Sequence, residues 1–171
     1  MPVPALPDLA ALHQTRELLL SRGLAVLTAW ALGSIVGGGY GLARAPRRSA
    51  AFYFQAMTVG WGLVNAALAF GGIYALQPVA PAGLRLADLF GAQLRNENLF
   101  ALNAGLDAAY VMTGFYLRAR AEAPDAAHPA RLRGYGRALW VQGGFLLVFD
   151  AAMWALLHGQ GRAWLALAGA R

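Results

Sequence analysis

Two aspartates stand inside otherwise apolar stretches: Asp107 in LNAGLDAAYVMTGFYL (102–117) and Asp150 in GGFLLVFDAAMWALL (143–157). A carboxyl at mid-bilayer costs ~2.5–3.5 kcal/mol on the insertion scale, so such residues are rare and mark ligand, ion or proton sites by default. No arginine lies within these stretches to pair with them. At least one carboxyl is therefore expected to be protonated or strongly hydrogen-bonded. The candidate partners are Asn65, Asn103, Tyr110 and Gln142.

The spacing of these residues sorts them onto helix faces. Asn103, Asp107, Tyr110 and Gly114 fall at i, i+4, i+7 and i+11, and Gln55, Thr58, Gly62 and Asn65 at i, i+3, i+7 and i+10. Gly143, Asp150 and Trp154 share a third face, with Gln142 near its edge. Counted from the outer ends of their stretches, Asn65, Asp107 and Asp150 lie at similar depths, roughly 10–15 Å at 1.5 Å per residue. The expectation is one buried polar layer, with Trp30 and Trp61 deep enough to line a cavity beside it.

Three chemistries are open to such a layer. It could bind, or bind and move, a small molecule, lipid or ion. It could serve as a carboxylate acid/base pair in a membrane enzyme, although no nucleophile or metal cluster accompanies it. It could be glue, fixing helix register through interhelical hydrogen bonds. No cofactor is implied. The three histidines, His13, His128 and His158, are scattered and predict no metal site; His13 and Glu17, at i and i+4, read as a solvated helix pair. The absence of cysteine excludes disulfides and thiolate ligation.

The elements that must position the layer are legible in composition. The chain of 171 residues is 58% hydrophobic and 13% charged, about half the charge of a soluble domain. Its apolar residues concentrate in four runs, near 23–43, 51–75, 98–117 and 138–157, each long enough for a ~30 Å hydrocarbon core. The predicted fold is all-α: a single multi-pass membrane domain, a four-transmembrane-helix bundle, with two outer interfacial helices. One of these follows Pro7 with Asp8 as its cap; the other follows Pro78 and Pro81 in AGLRLADLFGAQLRNEN. The tail GRAWLALAGAR is too short to span. The N-terminus lacks the basic region and cleavage site of a signal peptide.

All 14 basic residues are arginines. Eight flank the two short links (Arg44, Arg47, Arg48, Arg118, Arg120, Arg131, Arg133, Arg137) and six lie on the opposite side. The positive-inside rule puts both links in the cytoplasm and both termini outside. No basic stripe is interleaved with aromatics, so nucleic acid is not an expected partner; the lipid bilayer is. The arginine-only, Ala- and Gly-rich composition points to a bacterial inner membrane. Gly33, Gly37 and Gly41 form a small-residue ridge expected to pack against another helix of the bundle, or to form a homo-oligomer seam. VNAALAF and FDAAMWA align Asn65 with Asp150, which suggests a hairpin duplication or, with so biased a composition, chance.

The stretches LNAGLDAAYVMTGFYL, RGYGRALWVQGGFLLVFDAAMWALL and AWALGSIVGGG together resemble a family of small four-helix bacterial membrane proteins without assigned activity. The resemblance runs from about Arg22 to His158. It implies the four-helix fold and a role for the aspartate layer, and it implies no reaction.

Overall fold

A computed structural model describes residues 9–80 and 82–169, with side chains through residue 162. The expected cap at Asp8, Pro81, and the side chains of Trp164 and Arg171 lie outside the described residues. Four helices account for the fold: α1 (Leu9–Arg44), α2 (Ala50–Ala75), α3 (Leu86–Ala121) and α4 (Pro129–Gly169). At 1.5 Å per residue they are about 54, 39, 54 and 60 Å long. No strand occurs among the described residues.

Local signals set the breaks. Ser49 caps α2, its hydroxyl accepting from the Phe52 N–H at 3.1 Å. Asp88 reaches back to accept from the Arg85 N–H at 3.1 Å at the start of α3. The Arg85 guanidinium beside it holds the Asp88 carboxyl below the usual carboxylate range. His128 turns the chain with φ of 60°, and Pro129 then occupies the first position of α4, where a missing N–H costs nothing.

The expected outer interfacial helices are not separate elements. Leu9–Gly23 runs unbroken into the first apolar run, and Leu86–Glu97 into the third. No proline interrupts either stretch, and both extensions bury side chains: His13, Arg16 and Glu17 on α1, Leu89 and Gln93 on α3. Likewise the segment after Leu157 continues α4.

Among the described residues α1, α2 and α4 are long and apolar enough to cross a membrane. α3 equals α1 in length, but the polar run Arg95–Asn98, with Asn103 and Asp107, lowers its hydropathy below theirs.

Close packing depends on glycines. A Cβ at Gly114 would lie 2.8 Å from the Gly136 carbonyl oxygen, and one at Gly136 would lie 2.8 Å from that of Gly114. At Gly143 the added atom would meet Tyr110 Cβ at 3.1 Å and the Asp107 carbonyl at 3.3 Å. α3 thus lies directly on α4. α2 sits on α1 through Gly62, opposite the Ala31 carbonyl, and on α4 through Gly134, opposite the Ala50 carbonyl. The ridge expected at Gly33, Gly37 and Gly41 does not pack as a unit. Gly33 and Gly37 face open space; the α1 surface that meets α2 carries Gly38, against Thr58 and Val59, and Gly41, against Gln55. A one-residue offset turns the contact face by ~100°, so Gly38 rather than Gly37 points inward.

Both short links lie at one pole. Tyr53 and Tyr135 meet edge to face there, and Arg137 lies over the Phe54 ring. The result is two hairpins, α1–α2 and α3–α4, joined mainly where α4 packs on α2. α2 and α3 do not pack together along their length.

Candidate functional site

The gap between α2 and α3 leads into a cavity of about 1340 Å³ with walls from all four helices. Single small-molecule sites occupy roughly 300–1,000 Å³, so this one has room for a larger guest. Six of the eight residues singled out in the sequence line it: Asn65 and Trp61 from α2, Asn103, Asp107 and Tyr110 from α3, and Asp150 from α4.

The polar base of the cavity follows from helix contacts. Because residue 143 is glycine, α3 rests on α4 at Asp107, and Asp150 lies two turns further along α4. The Asp150 carboxyl is within interaction range of both the Asp107 carboxyl and the Asn103 amide. Asp107 is 3% exposed and Asp150 5%. Asn65 is fully buried, and neither its amide nitrogen nor its oxygen has a hydrogen-bond partner; Asp107 Oδ2 also lacks one. Buried polar groups are almost always satisfied, and each unsatisfied one costs ~1–3 kcal/mol. Directly inward, Trp61 and Tyr110 bridge the gap edge to face, with centroids 4.9 Å apart.

Trp30 and Gln142 are placed elsewhere. Trp30 Nε1 donates to Gln142 Oε1 at 2.8 Å, and Gln142 Nε2 donates to Ser34 Oγ at 3.2 Å. The Trp30 ring stacks on Phe145 at 3.9 Å. These residues form a satisfied bridge between α1 and α4 outside the cavity lining. Depth along the chain placed them at the right level, but their helix faces turn them to a different interface.

The opposite end of the cavity holds a polar ring that sequence reasoning missed. His13 and Glu17 are not a solvated pair. Arg16 Nη2 donates to Glu17 Oε1 at 3.0 Å and contacts His13 Nδ1 at 3.2 Å. His13 Nε2 lies 2.6 Å from the Gln77 carbonyl oxygen, and the Gln77 N–H donates to Glu17 Oε2 at 2.8 Å. With Nδ1 accepting and Nε2–H donating, every contact is matched. The ring ties α1 to the end of α2. On α3 and α4, Gln93 Nε2 donates to Glu97 and to the Leu157 carbonyl, and Glu97 pairs with His158 at 3.0 Å. The sequence signal was the helical spacing of His13, Arg16 and Glu17, which reads equally well as a solvent-facing stripe.

Arg16, Glu17, Gln77, Arg95 and Asn96 line the mouth of the cavity, at the end away from the two short links; Leu20, Leu24, Leu68, Leu99 and Phe149 are among its apolar wall residues. The base and this mouth are twelve residues apart on α3 (Asp107 to Arg95), about 18 Å along the helix.

No curated protein and no solved structure matches this chain. A family model does, over residues 26–151, a segment that contains every residue of the polar base and both carboxyls. The chain belongs to DUF6992, a family of unknown function.

Proposed function

We propose that this protein is a four-span integral membrane protein that binds, and exchanges with the bilayer, a small molecule or lipid held in the cavity at Asn65, Asp107 and Asp150. The fourth span rests on α3. It contacts α4 from Gly114 against Gly136 to Gln93 against Leu157, and this contact supports α3 crossing the bilayer beside α4. Its polar residues point into the cavity-lining side, as expected for intramembrane polar groups. The arginine-rich links then lie in the cytoplasm of a bacterial cell, with both termini outside the inner membrane.

The single observation that carries the binding reading is Asn65. Glue would spend its amide on a neighbouring helix, as Gln142 does. Among the described residues Asn65 spends neither end, and Asp107, which lines the same cavity, leaves Oδ2 free. A polar group of a guest would supply those partners at the base of the cavity, below walls that carry Leu24, Leu68, Leu99 and Phe149.

The test is native mass spectrometry of the protein released gently from its own membrane, beside Asn65→Leu and the Asp107→Asn, Asp150→Asn double variant. An adduct on the wild type that the variants lack is the expected result. Identical spectra for all three folded proteins would remove the reading and leave the carboxyls as helix–helix glue.

A further inference from the structure

The mouth of the cavity has its own chemistry. Arg16 is 5% exposed and lines the cavity, yet its Nη1 has no partner among the described residues. Its neighbours His13 and Glu17 occupy only Nε and Nη2. Arg95, on the facing helix α3, also lines the cavity, is exposed, and forms no ion pair among the described residues. Among the residues lining this end, two guanidinium groups stand against one carboxylate, Glu17; the nearby Glu97 is engaged by Gln93 and His158. A buried guanidinium with an unused N–H is costly unless an acceptor arrives, and carboxylates and phosphates are the acceptors its geometry suits.

Between these charges and the base the walls are apolar for about 10 Å, the seven residues of α3 from Asn96 to Asn103. The side between α2 and α3 is open, and its lips, Leu68 and Leu99, are exposed. A chain lying against them would leave the cavity sideways, into lipid, without reaching the polar base.

We infer that the mouth is a lipid headgroup subsite, in which Arg16 and Arg95 hold the anionic phosphate or carboxylate of an amphiphile whose apolar chain runs along Leu24, Leu68 and Leu99 and out between α2 and α3. The inference rests on the cavity being a binding site, and adds a second subsite to the polar base. An inorganic anion would satisfy the arginines but would leave the apolar wall and the lateral opening without a role.

The experiment uses the full chain in bilayer discs of phosphatidylcholine containing a minority of phosphatidylglycerol, with the lipids that remain bound counted by native mass spectrometry. Wild type is expected to retain phosphatidylglycerol above its share of the bilayer. Arg95→Gln should reduce that preference about five-fold, the factor for one arginine near an anionic surface, and Arg95→Lys should restore most of it. Arg95 is exposed, so its replacement leaves the fold intact; Arg16→Gln is then the stronger variant wherever it folds. Retention of both lipids in their bulk ratio, or an unchanged preference in Arg95→Gln, would overturn the inference. So would displacement of the lipid by inorganic phosphate alone, which would make the site one for a free anion. The two readings fail separately: the base falls if Asn65→Leu keeps the native adduct, and the mouth falls if Arg95→Gln keeps the headgroup preference.

Discussion

Trp61 of α2 and Tyr110 of α3 meet edge to face with ring centroids 4.9 Å apart, across a gap where their helices do not otherwise pack. The pair spans the gap, and the cavity continues past it to Ala56, Met57 and Tyr135. An edge-to-face pair contributes ~0.5–1.5 kcal/mol beyond its buried area. Trp61→Ala should therefore lower the melting temperature in detergent measurably and speed exchange of a bound lipid, whereas Trp61→Phe should retain most of both. Unchanged exchange in Trp61→Ala would mean that the rings do not gate the gap.

Asn65→Leu should raise stability while abolishing ligand retention. It removes an amide buried without partners, a penalty of ~1–3 kcal/mol, and replaces it with an apolar side chain of similar size. Equilibrium unfolding in mixed micelles would read the gain. A loss of stability would mean that the amide is bonded in the folded protein after all.

Gln142→Leu should behave in the opposite way. It strands the Trp30 N–H and the Ser34 hydroxyl, so a loss of ~1–3 kcal/mol is expected, with ligand retention intact because the bridge lies outside the cavity. The contrast between these two amides, measured on one unfolding assay, separates site from scaffold.

Glu17→Ala removes the only carboxylate bonded to Arg16 among the described residues. Breaking one side of a buried ion pair costs ~3–5 kcal/mol, and here it also frees the Gln77 N–H. The variant should unfold earlier, and the loosening should start at the α1–α2 outer end, where amide exchange of residues 70–77 would rise first. Protection equal to wild type in that segment would show that the ring does not hold it.

Gly114→Leu should prevent assembly of α3 on α4, since even a Cβ there meets backbone at 2.8 Å. Gly37→Leu, on a face with nothing nearby, should leave the folded chain unaffected. A cross-linking pair between α3 and α4 reports the first. A change in sedimentation of Gly37→Leu would reveal a second chain covering that face.

The hydropathy pattern was enough to determine an all-helical fold of four long helices, and the spacing of Asn65, Asn103, Asp107 and Asp150 gave each its expected face and depth. They suffice because helix periodicity and depth are local properties: each residue's face and height follow from counting along its own helix. Which faces meet is not local. Gly38 rather than Gly37 takes the α2 contact, and Trp30 and Gln142 turn toward each other instead of the cavity, because the crossings at Gly62, Gly114 and Gly143 set each helix's rotation. The outer ring of His13, Arg16, Glu17 and Gln77 was hidden for the same reason. A charged stripe at helical spacing has one sequence signature whether it faces water or a partner, and only the tertiary packing of α1 against the end of α2 decided between them.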